Sequence, residues 1–384
     1  MRVLIVHNRY RERGGEERAV ELQSQAFARA GIEHRVLERE SGTVSRQHAA
    51  RAMLRGGDRP EEVAAAVREL GASVVHVHNM HPLFGHRSLE AARAAGAAVV
   101  MHLHNYRLFC SIAIAFRDGD QCFRCHGRRT LPGLALNCRG SLPESAVYTS
   151  ALALHQPAVL QAVDRFVTPS EFAANRLAGL GLPRERLDVV ASYAPDVAAE
   201  STAHEGRYAL IAGRLSVEKG IGIAIEAARA SGVPLKVAGD GPLADTLRTH
   251  ARGAPVELLG RVPGAEVREL LRGAAMALVP SVSAEVMPFA ALEAMAAGVP
   301  VVASDAGALP EVLRPERCVP SRDANALAQA MRRLFDDPDE RRAEGERLID
   351  RARERFGEER YVRELLAVYE PLQAGLRGSI TITG

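Results

Sequence analysis

Short runs of β-branched and apolar residues alternate with amphipathic segments along the whole chain of 384 residues. This alternation is typical of parallel sheets whose strands are connected by helices. Strands are predicted at 2–7, 33–38, 73–78, 97–104, 164–169 and 187–191 in the first half, and at 208–213, 235–239, 256–260, 276–280 and 300–304 in the second. The sequence therefore predicts an α/β protein with two such sheets.

Residues 194–206, "APDVAAESTAHEG", interrupt this alternation. They have no periodicity and are rich in small and polar residues, which is typical of a linker. We therefore predict one domain at 1–197, which includes a Cys-rich excursion at 110–140, and a second at 206–357. The last helical pattern, at 358–372 within a segment 358–384, follows the second sheet with no strand left to pair, so it could pack back on the first domain.

Composition and charge restrict the classes of partner. The chain is 47% apolar and 25% charged, and its formal net charge of +2 is too small for bulk attraction to nucleic acid or a membrane. No apolar run reaches about 18 residues, and the first residues, "MRVLIVHN", do not form a signal peptide. We expect a cytoplasmic protein that binds small molecules, with peripheral membrane contact left open.

Two carboxylates lie on either side of a predicted helix start in "AEVMPFAALEAMAAG", residues 284–298. Pro288 suits the first position of a helix because its missing N–H would have no partner there. This places Glu285 in the preceding loop and Glu293 one to two turns inside the helix. The helix connects two buried strands, and α/β proteins bind ligands at such connections.

Two further strand-to-helix connections lie in the second half. In "GRLSVEKG", residues 213–220, Arg214 and Lys219 flank a turn, and two cations beside free backbone N–H groups suit a phosphate or diphosphate. A solvated loop with ordinary charges is the simpler interpretation of this segment alone. In "VAGDGPL", residues 237–243, Asp240 and Gly241 predict a tight turn at the same edge of the sheet.

The first half offers weaker signals. Gly14 and Gly15 in "RERGGEERAV" would let a ligand approach the backbone at a helix start. In "HLHNYRLFC", residues 102–110, the period of two puts His102 and His104 on one face of the strand, with Asn105 at the edge. A single histidine at such an edge is more often structural than catalytic.

A Cys-rich stretch, residues 110–138, interrupts the α/β pattern. "RDGD" predicts a hairpin with Asp118 and Gly119 at its tip, and the C-x2-C pair on the returning strand. Four thiols around a hairpin suit a structural Zn²⁺, whereas reduced thiols without metal are the alternative. The proposed ligands are Cys110, Cys122, Cys125 and Cys138.

His76, His78 and His81 also have metal-ligand spacing, but no acidic residue accompanies them, so a metal is less favoured there. Arg9, Arg11 and Arg13 could meet an acidic or phosphorylated ligand, although a solvated loop is the simpler interpretation.

Three motifs carry a resemblance to a known family. "GRLSVEKG", "VAGDGPL" and "EVMPFAALEAMAAGVPVVASDAGALPEV" resemble, in this order, motifs of family 4 retaining glycosyltransferases with the GT-B fold. "GGEER" and "HLHNYRLFC" match the first-domain motifs more loosely. The resemblance implies two Rossmann-like domains that face each other across a cleft. It also implies transfer of a sugar from a nucleotide donor on the second domain to an acceptor on the first.

The resemblance also implies roles for individual residues. Glu285 and the backbone of Met287, Pro288 and Phe289 would hold hydroxyls of the donor sugar. Glu293 would bind the ribose, and Arg214 with Lys219 would neutralise the leaving diphosphate. His104 would face the reacting sugar, and Gly15 would approach the phosphates. The nucleotide base would be lined by Asp240, Gly241 and Val262.

Two positions differ from the common family pattern: Asn105 stands where many members have Asp, and Pro288 where many have Gly. By family frequency, the donor is expected to carry UDP and the acceptor to be a hydroxyl of a small molecule, a lipid-linked molecule or a glycan. No cofactor is expected for catalysis. A sugar-nucleotide epimerase of the same fold and a non-catalytic binder of nucleotide sugars remain as alternatives.

Overall fold

The computed structural model of the chain describes residues 1–10 and 14–380, with side chains to residue 374. The strands are β1 (Arg2–Arg9), β2 (Glu33–Glu40), β3 (Val74–Asn79), β4 (Ala98–His102), β5 (Phe116–Arg117), β6 (Asp120–Gln121), β7 (Arg165–Thr168), β8 (Leu187–Val189), β9 (Tyr208–Ala212), β10 (Leu235–Ala238), β11 (Val256–Gly260), β12 (Ala274–Val279), β13 (Val301–Ser304) and β14 (Cys318–Val319).

The helices are α1 (Gly15–Arg29), α2 (Arg46–Arg55), α3 (Pro60–Leu70), α4 (Gly85–Ala94), α5 (Leu131–Ala135), α6 (Leu142–Ala162), α7 (Glu171–Gly179), α8 (Ile221–Ser231), α9 (Ala244–His250), α10 (Gly264–Arg272), α11 (Phe289–Ala296), α12 (Leu309–Leu313), α13 (Ala324–Asp336), α14 (Pro338–Arg355) and α15 (Glu358–Ile380).

The chain forms two compact units. The first contains Met1–Ala115, Cys122–Ser192 and the chain from Glu359 onward, and the second contains Phe116–Gln121 and Tyr193–Glu358. The division at 192 lies within a few residues of the linker expected at 194–206. The short hairpin of β5 and β6 groups with the second unit, where Arg322 donates a hydrogen bond to the Asp120 carboxylate at 3.2 Å.

The first unit contains a six-stranded parallel sheet in the order β2-β1-β3-β4-β7-β8. Every residue of β3 and β4 is buried, as expected for a parallel sheet covered on both faces. Side-chain caps fix some helix starts: the Ser170 hydroxyl accepts the N–H of Ala173 at the start of α7. The burial of β3 matters for the site because this strand carries two histidines.

The C-terminal helix α15 belongs to the first unit. Tyr369 on this helix is fully buried, and its hydroxyl lies 2.5 Å from Nδ1 of His76 on β3. Near the start of α15, Arg360 donates a hydrogen bond to the carbonyl of Ala191 at 2.9 Å. These contacts confirm the prediction that the last helix packs back on the first domain.

The second unit repeats the plan, with a parallel sheet in the order β11-β10-β9-β12-β13-β14. Its core lies between the sheet and the flanking helices and contains Ile211, Ile225, Val237, Leu278 and Met331. The two-residue strand β14 was absent from the sequence prediction because a pair of residues has no detectable period. The predicted α/β class with two parallel sheets is confirmed.

The predicted strand at 97–104 is shorter in the structure. Strand β4 ends at His102, because only Ala98–His102 pair with the neighbouring strands. His104 therefore lies in the loop after β4 rather than on the strand. Its ring nevertheless stacks on that of His102, with ring centroids 4.1 Å apart, so the two imidazoles remain neighbours as predicted.

Candidate functional site

The centre of the second sheet is a topological switch point. Strands β9 and β12 are adjacent there, and the strands that follow each of them in sequence lie on opposite sides: β10 and β11 beside β9, and β13 and β14 beside β12. In open α/β sheets, the crevice outside the carboxyl ends of two such strands is where ligands bind. The loop after β9 carries Lys219, and the loop after β12 carries Glu285.

Lys219 is the last residue of a single 3-10 turn, Val217–Lys219, and helix α8 begins at Ile221, close to the predicted helix start. Gly220 between them has φ +66, and a Cβ at this position would lie 2.0 Å from the carbonyl oxygen of Pro280. A larger residue would therefore separate the two loops. The N–H of Val282 also donates to the carbonyl of Glu218 at 2.9 Å, so the backbones of both loops are in contact.

The side chains of Lys219 and Glu285 form an ion pair across these loops. Nζ of Lys219 lies 2.6 Å from Oε1 of Glu285, and the Ser281 hydroxyl donates to the same oxygen at 2.6 Å. The side chain of Glu285 is 11% exposed and that of Lys219 is 37% exposed. Burial alone would lower the pKa of Lys219, but the charge of Glu285 and the hydrogen bond to it raise that pKa above its usual value.

The backbone of Glu285 is also fixed. Its carbonyl accepts the N–H of Ala308 at 2.8 Å, and its N–H donates to the carbonyl of Ser283 at 2.9 Å. A Cβ at Gly307, whose φ is +64, would lie 2.3 Å from the Glu285 nitrogen. The carboxylate is therefore held by its own backbone and by Ser281 and Lys219. Ser281 and Gly307 were not predicted from the sequence; a glycine needed for close packing gives no periodic signal.

Helix α11 begins one residue later than predicted. Phe289 is its first residue and Pro288 is the preceding cap residue, whose carbonyl accepts the N–H groups of Ala291 and Leu292 at 3.0 and 3.2 Å. Glu285 lies in the loop before α11, and Glu293 is the fifth residue of the helix, half-buried, as the sequence predicted. Met287 and Phe289 are also half-buried, beside Pro288 at the helix start.

The other residues predicted for the second domain lie on loops at the same carboxyl edge. Arg214 follows β9 and is exposed, Asp240 follows β10, and Val262 follows β11. The Asp240 carboxylate accepts the N–H of Gly241 at 2.8 Å, which makes the predicted tight turn. Since β9, β10 and β11 are adjacent and parallel, these loops line one edge of the sheet with Lys219 and Glu285.

In the first unit, His104 belongs to a network of imidazoles. Its Nε2 lies 2.7 Å from Nδ1 of His78, and the two rings are parallel within 3°. The opposite nitrogen of His78, Nε2, lies 2.8 Å from Oε1 of Gln23 on α1. Burial, together with the neighbouring histidines, holds the pKa of His78 and of His104 well below the usual range. Gln23 was missed because an isolated polar residue on an amphipathic helix carries no motif.

The metal site left open at His76, His78 and His81 is not formed by these three. His76 and His78 lie with His102 instead, and potential ligand atoms of these three fall within 4.8 Å of one another. These rings are already hydrogen-bonded: Nε2 of His76 lies 3.3 Å from Nδ1 of His102, and Nδ1 of His76 contacts the Tyr369 hydroxyl. Both nitrogens of His76 are therefore hydrogen-bonded, whereas Nε2 of His102 is buried without a hydrogen-bond partner.

Two described residues between β1 and α1, Tyr10 and Gly14, bond to one carboxylate. Glu17 in the first turn of α1 accepts the N–H of Tyr10 at 3.0 Å and that of Gly14 at 2.8 Å. Burial alone would raise the pKa of Glu17, but His7, whose Nε2 lies 3.5 Å from Oε1, and the backbone hydrogen bonds lower it to about 2. Gly15 is the exposed first residue of α1, and Asn105 donates a hydrogen bond to Glu16. An ionised carboxylate thus lies beside Gly15.

Of the three arginines singled out near this loop, Arg9 is exposed and lies 3.9 Å from the Glu38 carboxylate. Arg11 and Arg13 lie outside the described residues.

The Cys-rich stretch contains the predicted hairpin. Phe116 pairs with Gln121, and Asp118 and Gly119 at the tip both have positive φ, as a tight hairpin turn requires. The C-x2-C pair is not on the returning strand, because β6 ends at Gln121 and Cys122 follows it.

All five cysteines are free thiols. Burial raises the pKa of Cys125 to about 11, and Cys110, Cys138 and Cys122 are near enough to influence it. Across residues 1–10 and 14–380, however, no three of these sulfurs lie within 4.8 Å of one another. The residues suit zinc in type and number, but their sulfurs would have to move closer to form one shell.

Among the described helices, none combines the length and the apolar character that a membrane span requires.

Comparisons with known proteins agree with this geometry. The family model "Glycosyltransferase Family 4" matches residues 13–192, and the model "Glycosyl transferases group 1" matches residues 206–337. The chain is similar to the putative colanic acid biosynthesis glycosyltransferase WcaL of Escherichia coli K12, with 32% identity over 234 residues. It is also similar to an MMP α-(1→4)-mannosyltransferase of Mycolicibacterium hassiacum, with 41% identity over 109 residues.

These matches cover parts of the relatives. The E. coli match spans 54% of this chain and 57% of the relative's length, and the Mycolicibacterium match spans 27% and 26%.

Two solved structures share the fold over nearly all of both chains. Sucrose-phosphate synthase from Thermosynechococcus elongatus has a TM-score of 0.71 and 18% identity, covering 97% of this chain and 99% of its own. Anabaena HepE in complex with UDP has a TM-score of 0.66 and 15% identity, covering 97% and 100%.

Proposed function

Because this chain belongs to glycosyltransferase family 4 and has the GT-B fold, we propose that it transfers a sugar from a nucleotide-sugar donor to an acceptor hydroxyl, with retention of the anomeric configuration. The observation that carries this proposal is the ion pair of Lys219 and Glu285 at the switch point of the second sheet. It puts a cation and a carboxylate where a diphosphate and a sugar would be adjacent.

Lys219 would act on the leaving group. As the bond between the anomeric carbon and the phosphate oxygen breaks, its electron pair stays on the diphosphate, so negative charge grows there. A nearby cation stabilises that charge, and Arg214 on the same loop would add a second. The acceptor oxygen forms the new bond to the anomeric carbon, and its proton leaves with the diphosphate.

Glu285 would act at the sugar. Both of its hydrogen bonds, from Lys219 and Ser281, are to Oε1, and Oε2 takes part in neither. A carboxylate oxygen accepts hydrogen bonds from hydroxyl groups, so Oε2 suits a donor-sugar hydroxyl. Because the backbone and two side chains fix Glu285, little rearrangement is needed when the sugar binds.

We propose UDP as the nucleotide of the donor. HepE is described in complex with UDP, with UDP and glucose, and with UDP-glucose, and its fold matches this chain. A GDP-mannose donor is the second candidate, because a relative with 37% identity over 138 residues is a GDP-mannose-dependent mannosyltransferase. Thermal-shift measurements with UDP, GDP and their sugar derivatives separate the two, since saturation at about 100 times Kd stabilises a protein by about 2.7 kcal/mol.

The alternatives give different products. A transferase releases free nucleoside diphosphate only when an acceptor hydroxyl is supplied, an epimerase changes the sugar of the donor without acceptor, and a non-catalytic binder does neither. Candidate acceptors are small-molecule, lipid-linked and glycan hydroxyls. The anomeric coupling constant of the product, measured by proton NMR, tests retention: an inverted product would contradict it.

We expect Glu293→Ala to weaken nucleotide binding while leaving turnover at saturation nearly unchanged. Loss of one charged hydrogen-bond acceptor for the ribose would raise the Kd for UDP by about 10- to 100-fold. This bond would exist in the ground state and in the transition state alike, so KM should rise with little change in kcat. Isothermal titration calorimetry with UDP measures the effect.

The matched control is Glu226→Ala, which removes an exposed helical glutamate of the same unit that pairs with Arg229 at 2.7 Å. It should bind UDP like the wild type. An unchanged Kd in Glu293→Ala would contradict the ribose role.

We also propose a structural zinc ion bound by Cys110, Cys122, Cys125 and Cys138. Four thiolates complete a tetrahedral shell at about 2.3 Å from the metal, so such an ion would stabilise folding rather than catalyse the reaction. Elemental analysis of protein purified without chelator should find about one zinc per chain. The double substitution Cys122→Ser and Cys125→Ser should remove it and lower Tm.

The control is Cys318→Ser, which changes the one cysteine outside the stretch and should keep the metal. Absence of tightly bound zinc in the wild type would refute the site.

A further inference from the structure

A chain of hydrogen bonds in the first unit runs from an amide to His104. Oε1 of Gln23 lies 2.8 Å from Nε2 of His78, and Nδ1 of His78 lies 2.7 Å from Nε2 of His104. Gln23 and His78 are buried, whereas His104 is partly exposed. Each hydrogen bond needs one donor and one acceptor. The group at the Gln23 end therefore restricts which nitrogen of each imidazole can carry a proton.

Both ends of the Gln23 amide contact the C-terminal helix. Its Nε2 donates to the Tyr369 hydroxyl at 3.4 Å, and its Oε1 accepts from the Tyr361 hydroxyl at 3.3 Å. Tyr369 in turn lies 2.5 Å from Nδ1 of His76. With Nε2 directed at one tyrosine, the amide oxygen is directed at the other tyrosine and at His78.

The positions of the ring protons then follow. An amide oxygen can only accept, so Nε2 of His78 carries a proton. A neutral imidazole has a lone pair on its second nitrogen, so Nδ1 of His78 accepts and Nε2 of His104 donates. His104 is thereby left with its lone pair on Nδ1.

We propose that Gln23 is a positioning residue that, through His78, holds His104 as the Nε2–H tautomer, so that Nδ1 of His104 is a hydrogen-bond acceptor toward a sugar or acceptor hydroxyl. The part of this inference that concerns the hydroxyl rests on the proposed function. The tautomer itself does not. The buried amide of Gln23, two side chains away, thus decides whether Nδ1 of His104 accepts or donates a hydrogen bond.

The groups around His78 and His104 keep these two imidazoles neutral. The titratable groups near His104 are His7 on β1, Glu17 on α1, His78 on β3 and His102 on β4, and only Glu17 favours the charged imidazole. His78 faces His76, His102, His104 and His7, all of which disfavour its protonation, and Gln23 carries no charge. In this environment, a proton added to one imidazole would lie close to several other histidine rings, which disfavours the charged form.

The direct test is the nitrogen spectrum of the histidine rings. Protein labelled with ¹⁵N-histidine is measured at neutral pH with chelator present, and the His104 signals are identified by their loss in His104→Gln. We expect Nδ1 of His104 to have the shift of an unprotonated nitrogen and Nε2 that of an N–H. The reverse pattern, an imidazolium or a metal-bound nitrogen would each overturn the proposal, whether or not transferase activity is found.

Gln23→Glu tests the role of the amide. A carboxylate beside His78 would raise the pKa of that imidazole, so at neutral pH both nitrogens of His78 would carry protons. Nε2 of His104 would then have to accept, and its Nδ1 would become N–H. We expect kcat/KM to fall about 10- to 100-fold, the size of the loss when hydrogen-bond partners of metal-ligating histidines are removed. The activity should recover as the pH rises through the raised pKa of His78.

Gln373→Glu is the matched control. It makes the same change at a half-buried glutamine of α15 that donates to the Ser73 hydroxyl, outside the imidazole chain. This variant should keep the pH profile of the wild type. An equal pH dependence in both variants, or a Gln23→Glu enzyme as active as the wild type at neutral pH, would refute the positioning role. If Gln23→Glu does not fold, the ring-nitrogen spectrum of the wild type still decides the tautomer.

Discussion

Lys219→Ala is expected to lower kcat by about 30- to 1000-fold, because loss of one cation beside the leaving diphosphate costs about 2 to 4 kcal/mol of transition-state stabilisation. The wild-type reaction should need no added divalent metal, since Lys219 and Arg214 would supply the positive charge. Because the pKa of Lys219 is raised, its cation persists at neutral pH and is lost only as the pH rises through that raised value. The rates to compare are those with excess EDTA and those with Mg²⁺.

The chain provides a matched control for this substitution. Lys236 is its only other lysine and lies on β10 of the same unit, 3.8 Å from Glu257. Lys236→Ala likewise removes one lysine cation that faces a glutamate, and it should leave kcat unchanged. A Lys219→Ala enzyme as fast as the wild type, or activity abolished by EDTA and restored by Mg²⁺, would overturn the diphosphate role.

Glu285→Gln is expected to lower kcat by about 10- to 100-fold while nucleotide affinity is retained. An amide has the shape of the carboxylate but accepts weaker hydrogen bonds, and a bond to a charged group contributes about 1.5 to 3 kcal/mol. The substitution also releases Lys219 from its partner, so the affinity for free UDP should be equal to that of the wild type or higher. Steady-state kinetics and UDP titration together measure both quantities.

Glu257→Gln, at the partner of Lys236, is the corresponding control and should leave both quantities unchanged. The double variant Lys219→Ala with Glu285→Gln completes a double-mutant cycle. Because the two side chains are in contact, the two losses of kcat should not be additive in free energy. Turnover in Glu285→Gln equal to that of the wild type would contradict the role at the sugar.

Much of the second-domain site could be predicted because its residues lie in the loops that follow the strands. Arg214, Lys219, Asp240 and Glu285 each lie just after a parallel strand, and the strands themselves have a clear apolar signal. Parallel strands bring their carboxyl ends to one edge, so sequence position alone predicts that these loops are neighbours. The ion pair of Lys219 with Glu285 is a finer detail that depends on side-chain geometry.

The residues that the sequence could not reveal act through packing. Gly220 and Gly307 matter because other backbone atoms would lie only 2.0 and 2.3 Å from a Cβ at these positions. Gln23 and Tyr369 meet although 346 residues separate them in the chain. Pairings this distant have no local pattern, and only the fold brings them together.

The return of α15 to the first unit has a consequence for how the protein is made. During synthesis, the first sheet leaves the ribosome before the second unit, yet the tyrosines that bond to Gln23 and contact His76 emerge only after the second unit. All strands of the second unit are available before α15 is made, so this unit can complete its fold while Gln23 and His76 of the first unit still lack their tyrosine partners. Usually the amino-terminal domain folds first. Here the first unit is begun before the second but can be completed only after it, because its sheet packs against α15, which follows the second unit in sequence.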